Sequence, residues 1–444
     1  PGLFRSDGTV GGLIRNETLT LSTGNYMANA TIIIAGGGCL IIGANSNINF
    51  APGRGILVSG SGKLTIEGPS LLDTPNPQAP WAGIVLGNSN KTVISNTLIN
   101  NTEIGVRVRS CSSCEEDSNS SPPFLSIKNS KIEKASSDGI RLEFTTSTVM
   151  LSNVHIESPG QHGLYAASFQ GNLIVADSTI SSTNYALYSN YASEVTLTNT
   201  IVDSALYGVV INHPQNYVTL QNNTVTSCEH QCLRLYAQYC SASIDGNVFQ
   251  GLGTHSYATE ELVWLASYLS QGDHLSLQDN SFGNWETSYN ALYVEIRQSA
   301  DGFIGVSNNR FYNISARHIF NLNFQHAASH TNVANTFESN LEASDSAYSS
   351  IFHIQNWPES CGDKPCSLVG NIFNHTLSAG QYHLAVTTST NDVATIDASL
   401  CYWGTEDESS VIDTMYDGRD DVDYIVLDFL PYLLTPDPVG NRSA

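Results

Sequence analysis

Along the middle of the chain apolar and polar residues alternate in short runs, and each run breaks at a single Asn or Asp before alternation resumes. LSIKNSKI carries the break at Asn129, VMLSNVHI at Asn153, LIVADSTI at Asp177, VTLTNTIV at Asn199 and VTLQNNTV at Asn222, in steps of 24, 24, 22 and 23 residues. Period-two alternation predicts strands rather than helices. A fixed recurrence of this length predicts a solenoid in which one repeat forms one coil. The unit returns with looser spacing in LSLQDNSF at Asp279, IGVSNNRF at Asn308, SLVGNIF at Asn371 and VATIDASL at Asp397, and the longer intervals read as loops inserted into single coils. Leucine-rich repeats share the period but require a Leu-rich consensus that is missing here.

The predicted fold is all-β, a right-handed parallel β-helix forming a single domain over residues 1–444. Residues 1–30 read as an N-terminal cap and 401–444 as a C-terminal cap. Between them, 31–400 read as coils with inserted loops near 110–123, 251–262 and 356–367. The recurring Asn or Asp suits a tight bend between strands, because it tolerates left-handed backbone angles. Its amide, stacked coil on coil, would hydrogen-bond as a ladder. Coils rising about 4.8 Å each would give a rod on the order of 70 Å long. Such a rod has two open ends that need capping.

Register makes a second pattern visible. In GVRVRS, GIRLEF, GLYAAS, ALYSN, GVVIN, CLRLY, LVWLA and ALYVEIR an inward apolar residue precedes an outward one, and the outward series reads Arg107, Arg141, Tyr165, Tyr188, Val210, Arg234, Trp264 and Tyr293. Aromatic and Arg side chains on an exposed β surface are what protein-binding and glycan-binding faces use. The alternative is that inserted loops fold back and bury them. Beyond residue 310 the inward and outward phases become ambiguous.

Composition narrows the function classes. The chain is 41% hydrophobic and 13% charged, enough for a core and too little charge for a disordered chain. Eighteen Lys and Arg against 41 Asp and Glu leave a net charge of −23, which repels nucleic acid and anionic membrane surfaces. No run is long and apolar enough to span a membrane, and the first residue is Pro, so an excised or processed extracellular segment is expected. Glycosylation sequons at Asn16, Asn29, Asn90, Asn100, Asn119, Asn222, Asn313, Asn374 and Asn441 point to a secreted or cell-surface glycoprotein.

Of nine cysteines, Cys111 with Cys114 and Cys361 with Cys366 lie close together in Ser/Asp/Pro-rich loops where local bridges are sterically easy, and two of Cys228, Cys232 and Cys240 could form a third. Cys39 and Cys401 remain as unpaired thiols near opposite ends. No second CxxC or flanking His pair has zinc spacing.

The opening, GGLIRNETLTLS followed by ATIIIAGGGCLIIGANSNINFAPGRGILVSGSGKLTIEG, and the closing run CYWGTEDESSVIDTMYDGRDDVDYIVLDFLPYL carry a resemblance. They resemble the two ends of the extracellular β-helical units typified by the insect protein bark beetle, also called Anakonda. The resemblance covers the chain as one unit and implies a cell-surface adhesion or junctional role without catalysis. Cys401 stands where that pattern has Asn.

Catalytic chemistry is hard to place. A polygalacturonase-like site needs clustered Asp residues with Gly-His-Gly and Arg-Ile-Lys turns, and the nearest matches, Gln161-His162-Gly163 and Asp420-Asp421, fall at opposite ends of the chain. A pectate-lyase-like site needs a basic groove that this charge disfavours. Asp413, Asp417, Asp420, Asp421 and Asp423 are numerous enough for calcium but lack an EF-hand order, and read as a solvated acidic cap. No catalytic residue, cofactor or metal is expected. The expected partners are proteins or copies of the chain itself, with glycan as a further class, and head-to-tail docking of the ends would build filaments. The competing reading is a carbohydrate-active β-helix enzyme, a lyase or hydrolase, or a non-catalytic glycan binder.

Overall fold

The computed structural model describes residues 8–87, 91–109, 124–144, 146, 148–182, 184–203, 206–252, 260–270, 272–299, 302–324, 329–341, 349–355, 366–374, 377, 381–387, 395–417 and 426–436. The chain divides into two compact units, Pro1–Pro214 and Gln215–Ala444.

In the first unit each circuit of the chain lays strands on three faces, and every strand pairs in parallel with the strand one circuit away. Face A carries Gly55–Ser59, Gly83–Gly87, Val106–Arg109, Ile140–Glu143, Leu164–Ala167, Tyr185–Asn190 and Tyr207–Asn212. Face B begins at Thr18–Leu21 and Cys39–Ile42 and ends at Asn172–Ala176 and Glu194–Thr198. Face C ends at Thr179–Ser181 and Ile201–Asp203. Long strands such as Phe124–Glu133 and Thr148–Glu157 turn the corner from B to C.

The alternation in the sequence puts one set of side chains inside. On face B, Leu21, Ile42, Ile66, Ile94, Ile127, Leu151, Val175 and Leu197 follow one another, none more than 1% exposed. Each such burial is worth about 1.5–3 kcal/mol, so the interior column holds the unit together.

The bend between faces B and C is where the Asn/Asp signal belongs. Asn96, Asn129, Asn153, Asp177 and Asn199 all have φ between 47° and 53°, in the left-handed region. The Asn153 amide donates to Asn129 Oδ1 at 3.0 Å, and the Asn199 amide to Asp177 Oδ1 at 3.0 Å. The residue after each bend turns inward. Ser130 Oγ accepts from Thr97 N at 3.2 Å, and Ser178 Oγ from Val154 N at 3.1 Å.

The second unit is built the same way. Its face A carries Gln231–Gln238, Val263–Leu269, Asn290–Ser299, His318–Phe324, Ser349–Gln355 and Gln381–Thr387. Its bend residues are Asn222, Gly246, Asp279, Asn308, Ala334, Gly370 and Leu400, all at positive φ. Two sequence expectations shift here. Asn371 is one residue past the bend, which Gly370 makes, and Asp397 lies before it, since Leu400 takes the left-handed position.

The inward residue in this unit is an Asn on successive coils. Asn223, Asn247, Asn280, Asn309, Asn335 and Asn371 are each at most 1% exposed. Each Oδ1 from Asn247 to Asn371 accepts from the backbone N–H and the side-chain amide of the Asn one coil before, at 2.9–3.0 Å. The rungs from Asn247 to Asn335 thereby both donate and accept along the column, as burial demands. On face C a column of rings runs from Phe249 through Phe282, Phe311, Phe337 and Phe373 to Trp403, with centroids 4.7–5.5 Å apart.

The cap boundaries differ from the sequence expectation. Thr9–Arg15 and Thr18–Leu21 already pair with the following coil, because their alternation continues the inward set through Val10, Ile14 and Leu21. The expected 1–30 cap is therefore not a separate element over 9–30. At the other end the short helix Glu408–Ile412 starts at Asp407, whose carboxylate accepts from Ser410 N at 2.9 Å. Met415–Tyr416 and Val426–Asp428 then rejoin the ladders, and Phe429, Tyr432 and Leu433 are 5% exposed. The stretches 110–123, 253–259 and 356–365, where inserted loops were expected, lie outside the described residues.

Candidate binding face

Face A holds the outward series. In the first unit Arg107 pairs with Arg141, Arg141 with Tyr165 and Tyr165 with Tyr188, so the four occupy one register position on successive coils. All four are partly exposed. Val210 follows in register but is 3% exposed, so the exposed stripe of this unit ends at Tyr188.

Three residues earlier on each coil stands a second column of Asp138, His162, Tyr185 and Tyr207. The two columns interlock. His162 stacks on Tyr165 with centroids 4.8 Å apart, Tyr165 on Tyr188 at 5.0 Å and Tyr185 on Tyr207 at 4.9 Å. Tyr185 meets the edge of Tyr188 at 5.4 Å, and the Arg141 guanidinium lies over the Tyr165 ring at 5.6 Å.

Arg107 and Arg141 are paired with acids on this face, whereas Arg109, on the same strand as Arg107, is exposed. Arg107 donates to Glu143 Oε2 through Nε at 2.9 Å and Nη2 at 2.7 Å. Arg141 bonds Asp138 Oδ2 and stands 3.6 Å from Glu143. Asp138 is fully buried, and its Oδ1 makes no hydrogen bond to the described residues. Partial burial pushes His162 below the usual imidazole range, which keeps the ring neutral near pH 7. Burial and the neighbouring Tyr188 phenol push Tyr165 up. The Gln161-His162-Gly163 triplet is thus part of a packed aromatic column rather than of an acid cluster.

At the turn leaving face A the backbone is again left-handed, with Gly36 and Gly60 in early coils, then Phe144, Ser168, Tyr191 and His213. Phe144 is 71% exposed and Tyr191 43%. Bulky side chains at positive φ are strained, so these rings stand on a rim that glycine would occupy more comfortably. Nothing in the alternation pattern signalled this rim. The clue available was a ring directly after three of the outward runs, at Phe144, Tyr191 and His213.

In the second unit Arg234, Trp264 and Tyr293 share one register, as the alternation predicts. Arg234 lies over the Trp264 ring at 5.1 Å, and Arg297 over Tyr236 at 5.4 Å. Arg297 also bonds Glu295 at 2.8 Å. Hydrogen bonds from Tyr236 and then Arg297 pull Tyr268 below the usual phenol range, while burial pushes Tyr293 and Glu261 up. The register continues to Asn321 and His353, which are 4% and 1% exposed. His318–Phe324 is buried on both phases, and a strand covered on both sides carries no alternation to read.

The other expected residues fall as follows. Sequon residues Asn16, Asn29, Asn222, Asn313 and Asn374 are exposed. Asn313 already donates its amide to Asn284 Oδ1 at 2.8 Å, and half-buried Asn100 donates to Asp73 at 3.1 Å. Asn90, Asn119 and Asn441 lie outside the described residues, as do Cys111, Cys114, Cys361 and the Cys366 side chain. Cys228, Cys232 and Cys240 are buried free thiols rather than a bridge. Burial, and then the adjacent Cys228 thiol, pushes Cys232 far up, and burial pushes Cys240 up to about 12. Asp417 is buried and accepts from Leu427 N at 2.9 Å, so it staples backbone inside the end segment. Asp420, Asp421 and Asp423 are outside the described residues. Among the described residues no group of three or more His, Cys, Asp or Glu is placed to hold a metal ion. No helix among them is long and apolar enough to cross a membrane.

Residues 82–249 match the family model described as the right handed beta helix region. No curated protein and no solved structure matches the chain. The matched stretch takes in the coils that carry Arg107, Arg141, Tyr165, Tyr188 and Arg234, and each unit is built of parallel ladders. The chain is a right-handed parallel β-helix protein.

Proposed function

We propose that the protein is a non-catalytic structural or adhesion glycoprotein of the cell exterior, with face A of the first unit as its contact surface. The observation that carries this is the partly exposed Arg107, Arg141, Tyr165, Tyr188 column, in register and backed by a second column that includes His162, Tyr185 and Tyr207. Aromatic and Arg groups held rigidly at a surface are what recognition faces concentrate. The sequons on exposed asparagines and the resemblance to extracellular β-helical adhesion units support the same reading.

The test is Tyr165→Ala with Tyr188→Ala, read by binding to cells or matrix extracts and by thermal melting. The contact-surface reading expects binding to fall while Tm moves by only a few degrees, since both rings are partly exposed. Unchanged binding defeats it.

One observation favours a second reading as a carbohydrate-active enzyme: buried Asp138, with one oxygen free, one coil before His162. Incubation with plant, algal and animal polysaccharides decides between them. New reducing or unsaturated ends, abolished by Asp138→Asn, would replace the non-catalytic reading.

A further inference from the structure

We propose that Cys228 and Cys232, both thiols in this structure, are joined by a disulfide in the mature protein, closing the corner where the chain passes from face C to face A at the start of the second unit. The bond rests on the exterior placement read above, since the cytosol keeps thiols reduced, and is independent of the contact surface on the first unit.

The first observation is placement. Cys228 ends the strand Thr224–Cys228, and Cys232 is the second residue of Gln231–Gln238. Only Glu229, His230 and Gln231 lie between them. Cys228 stands opposite Gly251 on the next coil, and the Cys232 thiol donates to Gln250 O at 3.3 Å, so both meet that coil at adjacent residues. Both are 0% exposed, and their thiols are in hydrogen-bond contact. Cys240 is excluded by distance. It lies past the far end of Gln231–Gln238, and the six strand residues after Cys232 span about 20 Å, well beyond the reach of a bridge.

The second is a bulge. Val225 pairs with Phe249 and Cys228 with Gly251, so Thr224–Cys228 holds one residue more than its neighbour over the same span. Ser227 takes up the extra residue at φ of 58°, a left-handed angle uncommon for serine. Bulges re-aim side chains, and this one leaves Cys228 fully buried against Cys232. A distortion that sets a second sulfur on the first is accounted for by a bond between them.

The chemistry then fixes the order of events. A thiolate of the pair attacks a small-molecule disulfide such as oxidised glutathione, forms a mixed disulfide and expels one glutathione thiolate. The other cysteine, as thiolate, attacks the protein sulfur of that mixed disulfide and expels the second. Two protein thiols thus lose two protons and two electrons, and one external disulfide leaves as two thiols. The attacking group must be ionised. Burial, and then the hydrogen bond with the Cys228 thiol, pushes Cys232 far up, so exchange belongs to the chain before this corner packs. Once packed, the bond is sealed from reductant.

The experiment secretes the whole chain from a eukaryotic host, alkylates it in denaturant without reductant, removes N-linked glycans and digests it with trypsin and a Glu-specific protease. Cleavage after Glu229 and after Arg234 puts Cys228, Cys232 and Cys240 on three peptides. Mass spectrometry should find His230–Arg234 joined to the peptide that ends at Glu229, and reductant should separate them. Folded protein should keep this pair in dithiothreitol at pH 8 and lose it when urea unfolds the chain. Alkylated Cys228 and Cys232 overturn the proposal, as does either one joined to another cysteine. Release at the same rate from folded and unfolded protein also overturns it, because a sealed bond must wait for unfolding. The host supplies the oxidising compartment, so a missing bridge counts against the thiol geometry and leaves the exterior reading standing.

Discussion

Cys401 stands on the rung that follows Asn371 in the buried ladder of the second unit, and its thiol donates to Leu368 O at 3.1 Å. On the preceding rungs an Asn amide makes the corresponding bond to the coil before, as Asn309 does to Leu277 O at 2.9 Å. The thiol is 1% exposed, and burial pushes it up to about 12. Native protein should therefore leave Cys401 unmodified by thiol reagents at pH 8, with labelling only after denaturation. Cys401→Asn should be neutral or stabilising by about 1 kcal/mol, read from urea melts, because it adds the missing amide. A loss of more than about 2 kcal/mol would show that the site rejects an amide.

Within the ladder the sign reverses. Asn280 donates to Ile244 O at 2.8 Å and to Asn309 Oδ1 at 3.0 Å, and it accepts from Asn247. Asn280→Ala strands a buried carbonyl and a buried N–H at once. The expected cost is about 3–5 kcal/mol in urea unfolding, from desolvated groups at about 1–3 kcal/mol each plus the cavity. A cost below about 1 kcal/mol would mean that water replaces the rung.

Acid should weaken the second unit through His318 and His353. Their rings stack at 4.2 Å, and burial pushes them down to about 2 and about 3. His318 faces Ser350 Oγ at 2.8 Å and the Arg317 guanidinium, and His353 faces Thr387 Oγ1 at 2.9 Å and the same guanidinium. A folded pKa below the ordinary 6.5 means that the unfolded chain takes the proton first. Stability is then complete above pH 6.5 and declines as pH falls toward 3, by about 1.4 kcal/mol per pH unit for each ring. His353→Gln should flatten the decline between pH 6.5 and 5. An equal slope in that variant would assign the acid sensitivity to other groups.

Phe144 carries a cost of its own. With φ at 46° and 71% of its surface exposed, it gains little from burial, and a left-handed backbone costs about 1 kcal/mol for such a residue. Phe144→Asn should raise stability by about that amount in thermal melts. A destabilised variant would show that the ring is held by contacts it needs.

The sequence revealed the fold well where one residue did one job. The bend at Asn129, Asn153, Asp177 and Asn199 was legible because Asn and Asp tolerate the left-handed region, and the stripe was legible because period two sends Arg107, Arg141, Tyr165 and Tyr188 the same way. Legibility failed where two signals overlapped. In VGNIF the Asn is the buried rung and Gly370 makes the bend, so an Asn-based rule slips by one residue. In His318–Phe324 both phases are buried and alternation disappears. The pairing of Arg141 with Asp138 and the rim at Phe144 and Tyr191 depend on which residues meet across coils, which no single repeat records.

The rungs from Asn223 to Cys401 recur once per coil and link only to the coils on either side, and that restricts how a gene for such a chain can change in length. Removing or duplicating a whole circuit leaves each remaining amide facing another amide across a new seam. Adding a single residue inside a strand turns the inward column outward and breaks the row of amides at that coil. Length variation in chains of this kind should accordingly come in steps of one circuit, with smaller insertions confined to the turns between faces.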